Sequence, residues 1–336
     1  MLLSTFLTFD APFAVSVQTE PLPAPGPGEV LVRTAVSAIS PGTEMLLYRG
    51  QFPADLPVDE TIPGMEQGVR YPLRYGYAAV GQVIGLGDGV AAAWHGRTVF
   101  AFHPHQSHFT ARPEQLHPLP DGMEPETAVF LPNMETAVSF VMDGRPVIGE
   151  RVVVWGQGIV GLLTTAVLAQ FPLASLITVD AHPLRREWSR RLGATASLPP
   201  GDAASLRRHL PDGADLSLEL SGNPAALDQA VEFTGDNGRL LIGSWYGEKR
   251  ANLNLGGRFH RSQMQIIASQ VSRLHPRWHG RWTKTRRLQL AWQMLAQIHP
   301  EQLITHRVPL AQAPAAYQLL HDSPATAVQI LLTYPD

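Results

Sequence analysis

Arg151-Val152-Val153-Val154-Trp155-Gly156-Gln157-Gly158-Ile159-Val160-Gly161 reads as a buried strand, a G-x-G-x-x-G turn and a helix that begins at about Ile159. Each glycine has its own task in a dinucleotide site. Gly156 permits the tight turn, Gly158 lets the backbone approach a pyrophosphate, and Gly161 lets the helix pack closely on the strand. The first helical turn, with Ile159 and Val160, offers unpaired N–H groups and the positive end of a dipole to the phosphates.

Outward from this stretch, a second apolar run, Leu176-Ile177-Thr178-Val179, ends in Asp180, 19 residues after Gly161. An acid there accepts hydrogen bonds from the adenosine ribose. Its charge repels a 2′-phosphate, which favours NAD(H) over NADP(H). Arg185, with His182 and Arg186 beside it, keeps NADP(H) open as the alternative. Further on, strands are expected at 215–220, 239–243 and 264–270, and helices at 159–170, 184–192, 224–234 and 281–298. Short loops between alternating strands and helices imply an α/β domain, a doubly wound parallel sheet of the Rossmann type. Leu220-Ser221-Gly222 and Ile242-Gly243-Ser244 end later strands at the same edge, so Ser221 and Gly243 are expected to frame the ribose and nicotinamide.

Upstream, residues 1 to about 125 read as short strands between Pro/Gly turns, for example Glu29–Val36 after Pro25-Gly26-Pro27-Gly28. Residues 51–70 are rich in Pro, Asp, Glu and Gly without periodicity, an excursion expected near a site mouth. Pro125 to Asp143 is expected to be helical. The chain ends in a strand, Ala327–Thr333.

Composition narrows the function. The chain has 336 residues, 44% of them hydrophobic, and a net charge of −3, which gives no basic excess for nucleic acid. No apolar run is long enough to span a bilayer. Met1-Leu2-Leu3-Ser4-Thr5-Phe6 lacks the basic start of a signal peptide, so the cytoplasm is the expected compartment. There are no cysteines. Disulfides, a thiolate nucleophile and any zinc site built with sulfur are therefore excluded.

A late dinucleotide domain, following a β-rich domain that the C-terminus rejoins, resembles the medium-chain dehydrogenase/reductase superfamily. The resemblance covers nearly the whole chain. It rests on Gly76-x4-Gly81-x-Val83-x3-Gly87, Gly96-Arg97-Thr98-Val99, Pro118-Leu119-Pro120-Asp121-Gly122, Gly149-Glu150-Arg151-Val152-Val153-Val154, the glycine fingerprint and Arg191-Leu192-Gly193-Ala194. It implies a mostly-β GroES-like catalytic domain at 1–133 plus 273–336, with the Rossmann domain inserted at 134–272. Ser37–Glu44 is also locally similar to the zinc-free branch that contains bacteriochlorophyllide dehydrogenases.

Zinc-dependent members hold their metal with a cysteine in a C-G-T-D-like segment, a histidine in G-H-E, and a cysteine or acid before the nucleotide domain. Here those positions read Pro41 in Ser40-Pro41-Gly42-Thr43-Glu44, Tyr77 in Gly76-Tyr77-Ala78, and Pro132 or Asn133. Catalytic zinc takes about three N, S or O ligands from the protein, so the expectation is no zinc and no metal site. The polarising metal must then be replaced or not required, and hydrogen-bond donors aimed at the oxygen where charge develops could replace it. Tyr77 and Thr43 are the candidates. Each also has a plainer reading, Tyr77 as filling and Thr43 as a turn cap. His103-Pro104-His105-Gln106-Ser107-His108 is a strand-end histidine cluster without an acidic or thiolate neighbour in sequence. It is read as non-metal, with His105 a candidate proton shuttle lining the substrate cleft.

The resemblance places Thr136 against the nicotinamide. Glu44, Asn133 and Glu135 are candidate substrate contacts, Glu135 alternatively an acid favoured by the first turn of a helix. Arg258 to Arg287 is a basic stretch interleaved with Trp278 and Trp282, either a solvated face or a border for an acidic substrate. Met264–Gln270 would be an edge strand, which family members pair across a two-fold axis; a homodimer is expected. The expected function is a zinc-independent NAD(P)-dependent oxidoreductase that passes hydride between nicotinamide and an alcohol or carbonyl of a small molecule. The alternatives are a zinc-free quinone/enoyl-type C=C reductase and a non-catalytic dinucleotide-binding sensor. No nucleic acid or membrane partner is expected.

Overall fold

The computed structural model describes residues 2–53, 56–57 and 68–335, so much of the expected 51–70 excursion lies outside the described residues. The chain divides into two compact units, Met1–Pro132 with His299–Asp336, and Asn133–Ile298.

The first unit opens with an antiparallel hairpin, β1 (Leu2–Ala11) and β2 (Ala14–Leu22). Strand β3 (Val30–Ala38) follows, then helix α1 (Thr43–Tyr48), β4 (Ala79–Leu86), β5 (Thr98–Ala101), β6 (His108–Ala111), β7 (Leu116–Pro118) and the short helix α2 (Pro125–Ala128). Gly81 sits in β4 because a side chain there would meet the Arg33 carbonyl oxygen at 2.3 Å.

Helix α3 (Leu131–Gly144) leads into the second unit. There β8 (Arg151–Trp155), α4 (Ile159–Leu168), β9 (Ser175–Val179), α5 (Pro183–Arg191), β10 (Ala196–Leu198), α6 (Ala203–His209), β11 (Ala214–Glu219), α7 (Pro224–Phe233), β12 (Thr234–Ile242), β13 (Gln265–Ala268) and α8 (Lys284–Ile298) follow in order. The sheet order is β10-β9-β8-β11-β12-β13, and its ladders are parallel. This is the doubly wound arrangement, with the strand order reversing between β8 and β11. Val152, Val153, Val154 and Trp155 are fully buried, as a strand covered on both faces requires. Helix α4 is apolar nearly all round and buried along its length. Helix α5 is polar: it starts with Pro183 and carries Arg190 and Arg191 in its last turn, where cations suit the dipole.

The chain then returns to the first unit through β14 (Ile304–Pro309), α9 (Ala313–Asp322) and β15 (Gln329–Thr333). That sheet runs β14-β15-β3-β4-β5-β7, with β6 also on β3. Strand β15 pairs antiparallel with β3, Leu331 opposite Ala38. One core gathers Leu7, Phe9, Ile39, Leu47, Tyr317 and Ile330; another gathers Val30, Val32, Val83, Val99 and Phe109.

Residues 273–298 group with the second unit, whereas the expected boundary put them with the first. The cause is a buried ion pair: Arg287 of α8 donates to Glu135 of α3 at 2.9 Å, and both side chains are almost fully enclosed. Trp278 Nε1 also donates to Asp143 of α3 at 3.0 Å. Among the described residues, no helix is long and apolar enough to cross a membrane.

Candidate active site

The glycine turn has the geometry a dinucleotide needs. Gly156 lies at φ +93°, and a Cβ on it would come within 2.6 Å of Ser221 Cα. A Cβ on Gly161 would sit 2.1 Å from the Gly156 carbonyl oxygen, so helix α4 could not approach the turn with any other residue. Gly158 is different. It is the N-cap of α4, and a Cβ there would meet nothing within 4 Å. Its glycine therefore serves the open space in front of the helix, where the first N–H groups have no intrahelical partner. Ile159 is buried in the core and Val160 is half-buried, so both can offer the space only their backbones.

Asp180 follows β9 and is largely buried. Its carboxylate accepts from the Gln157 N–H and the His182 N–H, each at 2.7 Å. The acid is thus tied to the glycine turn at its own strand end. Arg186 turns away from that carboxylate and donates to the backbone carbonyls of Asp180 and Ala181. Burial pulls the Arg185 pKa below its usual value, with the Asp180 charge opposing. Burial also lowers the His182 pKa, and the Arg185 charge adds to the effect. Thr136 is a half-buried position in a run of α3 that is otherwise buried, and Asn133 is buried in the first turn.

Ser221 and Gly243 stand at the ends of β11 and β12. The Ser221 N–H donates to Glu219 at 2.8 Å. Gly243 is glycine for packing, because a Cβ would collide with Phe140 at 2.5 Å and Leu220 at 2.6 Å. Glu219 was not singled out from the sequence. The available signal was an acid ending the apolar run Leu216-Ser217-Leu218, the same pattern that marked Asp180.

In the first unit, Tyr77 is half-buried and its hydroxyl donates to Ser40 Oγ at 2.5 Å. Thr43 is the first residue of α1, whose cap position belongs to Gly42. Below them lies a closed polar cluster. Glu44 is fully buried. Its carboxylate accepts from the Ser40 N–H at 2.8 Å, from His105 Nε2 at 3.1 Å and from the Tyr317 hydroxyl. His105 is also fully buried, with Nδ1 at 2.7 Å from Ser37 Oγ. Ser37 Oγ lies 2.7 Å from the Tyr334 hydroxyl. Burial and the Glu44 charge hold the Tyr317 pKa well above its usual value, so the phenol remains a donor.

This arrangement corrects three expectations. Glu44 is no substrate contact, because its carboxylate is enclosed and engaged. His105 does not line a cleft: its ring is buried under Gly76, whose Cβ would meet it at 2.9 Å. Glu135 is no substrate contact either, since its carboxylate is committed to Arg287. Of the other members of the cluster, Ser37 and Ser40 lie in the Ser37–Glu44 segment, whereas Tyr317 and Tyr334 come from a distant part of the chain and left no local signal. His103 stacks on Phe109 at 3.8 Å, and burial takes its pKa down to about 4. Within the basic stretch, Arg281 and Arg286 lie over Trp278 and Trp282, while Arg287 is interior.

Residues 160–285 match the zinc-binding dehydrogenase family. The chain is 25% identical over 328 residues to D-guloside 3-dehydrogenase of Escherichia coli (strain K12), covering 91% of this chain and 93% of that protein. Two solved structures share the fold. A short chain alcohol dehydrogenase from E. coli CFT073, complexed with NADH, superposes with a TM-score of 0.78 at 18% identity over 98% of this chain and 99% of that one. A putative zinc-binding dehydrogenase from Sinorhizobium meliloti 1021, bound to NADP, gives 0.78 at 17% identity over 99% and 100%.

The chain is similar to the zinc-binding dehydrogenases over residues 160–285 and shares the fold of the solved dehydrogenase structures along nearly its whole length.

The resemblance to zinc-dependent dehydrogenases assigns two of their metal-ligand positions to Pro41 and Tyr77. Proline offers no side-chain donor, and the Tyr77 hydroxyl is a hydrogen-bond donor to Ser40. Among the described residues, no group of three or more His, Cys, Asp or Glu is arranged to hold a metal ion. The donors at these positions do not fit a catalytic zinc. The glycine turn and Asp180, in contrast, fit a nicotinamide dinucleotide.

Proposed function

We propose that this chain is a zinc-independent NAD(H)-dependent oxidoreductase acting on an alcohol or carbonyl of a small molecule. The observation that carries the reading is the Tyr77–Ser40 hydrogen bond at the position where zinc-dependent relatives place a metal ligand. In this reading the second unit, with Gly156, Gly158, the backbones of Ile159 and Val160, Gly161 and Asp180, binds the cofactor. When bound, the nicotinamide supplies or accepts the hydride. Thr136, Ser221 and the Gly243 backbone border its nicotinamide end, and Asn133 borders the substrate.

The proton is handled by Tyr77. Its phenol donates to the substrate oxygen as charge develops there, the service that a Lewis acid renders in metal enzymes. Ser40 holds the hydroxyl when substrate is absent, and Thr43 is the alternate donor. Glu44 and His105 act beneath: Glu44 fixes the Ser40 backbone and His105 supports Gly76, so both sides of Tyr77 rest on one buried pair.

Asp180 supports NAD(H). Arg185 is the feature that favours NADP(H), and the two structural relatives carry one cofactor each. The C=C reductase reading uses the same groups, with Tyr77 stabilising the enone oxygen. The exposed strand β13, with Ile266 37% accessible, supports a homodimer through that edge.

The test is turnover of NAD+ and NADH with a panel of secondary alcohols, ketones and enones after chelator treatment. The expected result is activity that survives chelation and falls about a hundredfold in Tyr77→Phe, with NADH affinity unchanged. Loss of activity on chelation, restored by zinc, contradicts the reading.

A further inference from the structure

Glu219 is a fully buried carboxylate that the mechanism above does not use. It ends β11, opposite Trp155 of β8 and Ile242 of β12. It therefore sits at the reversal point of the sheet, one residue across from the glycine turn. A buried carboxylate is costly unless its oxygens are filled by donors. Here they are filled by the two strand-end loops. The Ser221 N–H, at 2.8 Å, and the Ser221 hydroxyl reach Oε1. Ser244 Oγ and the Tyr246 hydroxyl reach Oε2, each at 2.7 Å. Ser244 in turn accepts from the Gly222 N–H at 2.9 Å. One side chain thus ties the loop after β11 to the loop after β12.

The location decides what this tie serves. A doubly wound sheet binds its two mononucleotide halves on the two sides of the reversal point. The β8–β9–β10 side carries Asp180 and takes the adenosine. The β11–β12–β13 side takes the nicotinamide. Ser221 also packs directly against Gly156, where an added Cβ would meet its Cα at 2.6 Å. A shift of Ser221 would therefore be felt by the turn itself.

We infer that Glu219 is a positioning residue for the nicotinamide half of the cofactor: it fixes Ser221 and Ser244 so that the ends of β11 and β12 form a preorganised floor for the nicotinamide and its ribose. The inference rests on the dinucleotide reading given above. Preorganisation of this kind adds affinity by removing the cost of ordering loops at binding. Glu219 does not itself touch the cofactor, since its oxygens face the loops.

The experiment compares wild type, Glu219→Gln and Ser244→Ala. NADH affinity is measured by nicotinamide fluorescence, AMP affinity by competition in a calorimeter, and folding by thermal melting. AMP carries the adenosine half alone. Glutamine turns an acceptor into an NH2 group that faces hydroxyl donors. The expected result is NADH binding weakened about tenfold, the equivalent of one charge-assisted hydrogen bond, with AMP binding unchanged. Ser244→Ala removes one donor and leaves the carboxylate, so it keeps the test open if Glu219→Gln does not fold, and it should show the same split. Equal loss of NADH and AMP affinity with a lowered melting temperature would assign Glu219 a purely structural role and overturn the inference. Unchanged NADH affinity would overturn it as well. Failure of the wild type to bind NADH at all would instead contradict the dinucleotide reading, and the inference with it.

Discussion

On the proposed function, the cofactor choice falls to Asp180, a single carboxylate whose two oxygens are already anchored by the N–H groups of Gln157 and His182. Those anchors fix the direction in which the remaining lone pairs point. Asp180→Ser should therefore raise the ratio of NADPH to NADH affinity about tenfold, as the repulsion of a 2′-phosphate is lifted. Fluorescence titration of both cofactors checks it; an unchanged ratio would show that Arg185 and its neighbours already govern the choice. His103 makes a separate prediction about pH. Burial takes its pKa from 6.5 to about 4, with smaller contributions from the Pro104 carbonyl, His105 and Arg74. The folded state thus binds fewer protons than the unfolded state between these values, so stability falls as pH drops from about 6.5 towards about 4. His103→Phe, which keeps the stack on Phe109, should flatten that part of the stability–pH curve. An identical slope in both proteins would mean that His103 titrates normally. At this scale the sequence was readable where one residue acts through its own backbone neighbourhood, as at Gly156, Gly161 and Asp180. It was unreadable where partners lie far apart in the chain. Glu44 looked available beside Thr43, and only the arrival of Tyr317 from α9 and His105 from the β5–β6 connection makes it interior.

Helix α4 and its glycine turn separate binding from folding. A Cβ at 158 meets open space, whereas a Cβ at 161 overlaps the Gly156 carbonyl. Gly158→Ala should melt like the wild type yet lose NADH affinity about tenfold or more, because the methyl occupies the space a pyrophosphate needs. Gly161→Ala should lower the melting temperature as the helix is forced off the strand. If Gly158→Ala bound NADH normally, the phosphates would lie elsewhere. Helices α3 and α8 carry the other prediction at this scale. Removing one partner of a buried ion pair leaves an uncompensated charge, so Glu135→Ala should destabilise the second unit by about 3–5 kcal/mol, while the double change Glu135→Leu with Arg287→Met restores most of it. Chemical unfolding measures both, and a single variant as stable as wild type would remove the pair from the account. The alternation of apolar runs and turns made β8, α4, β9, α5 and α7 legible, since each is specified by a local period, and α5 and α7 also by a start signal, Pro183 and Asn223-Pro224. The attachment of α8 was not, because Arg287 sits in a basic run whose pattern resembles a solvated face.

For the whole molecule, the proposed function has a dehydrogenase architecture kept while the metal chemistry is replaced. The absence of cysteine, and Pro41 and Tyr77 at the positions the resemblance assigns to metal ligands, are legible in the sequence. The surroundings of those positions needed the fold: Ser40 accepts from Tyr77, beside a buried cluster of Glu44, His105, Ser37, Tyr317 and Tyr334. Assembly is testable at this scale too. Strand β13 presents Ile266 at an edge, and a homodimer through it predicts that Ile266→Lys sediments as a monomer while wild type sediments as a dimer. Equal sedimentation of the two would move the interface elsewhere. The most direct measurement is a titration of the purified protein, its zinc content determined on the same sample, with NADH and with NADPH, followed by nicotinamide fluorescence. The expected result is saturable binding, tighter for NADH, in protein without stoichiometric zinc. Stoichiometric zinc that resists removal, or no binding of either nucleotide, would contradict it.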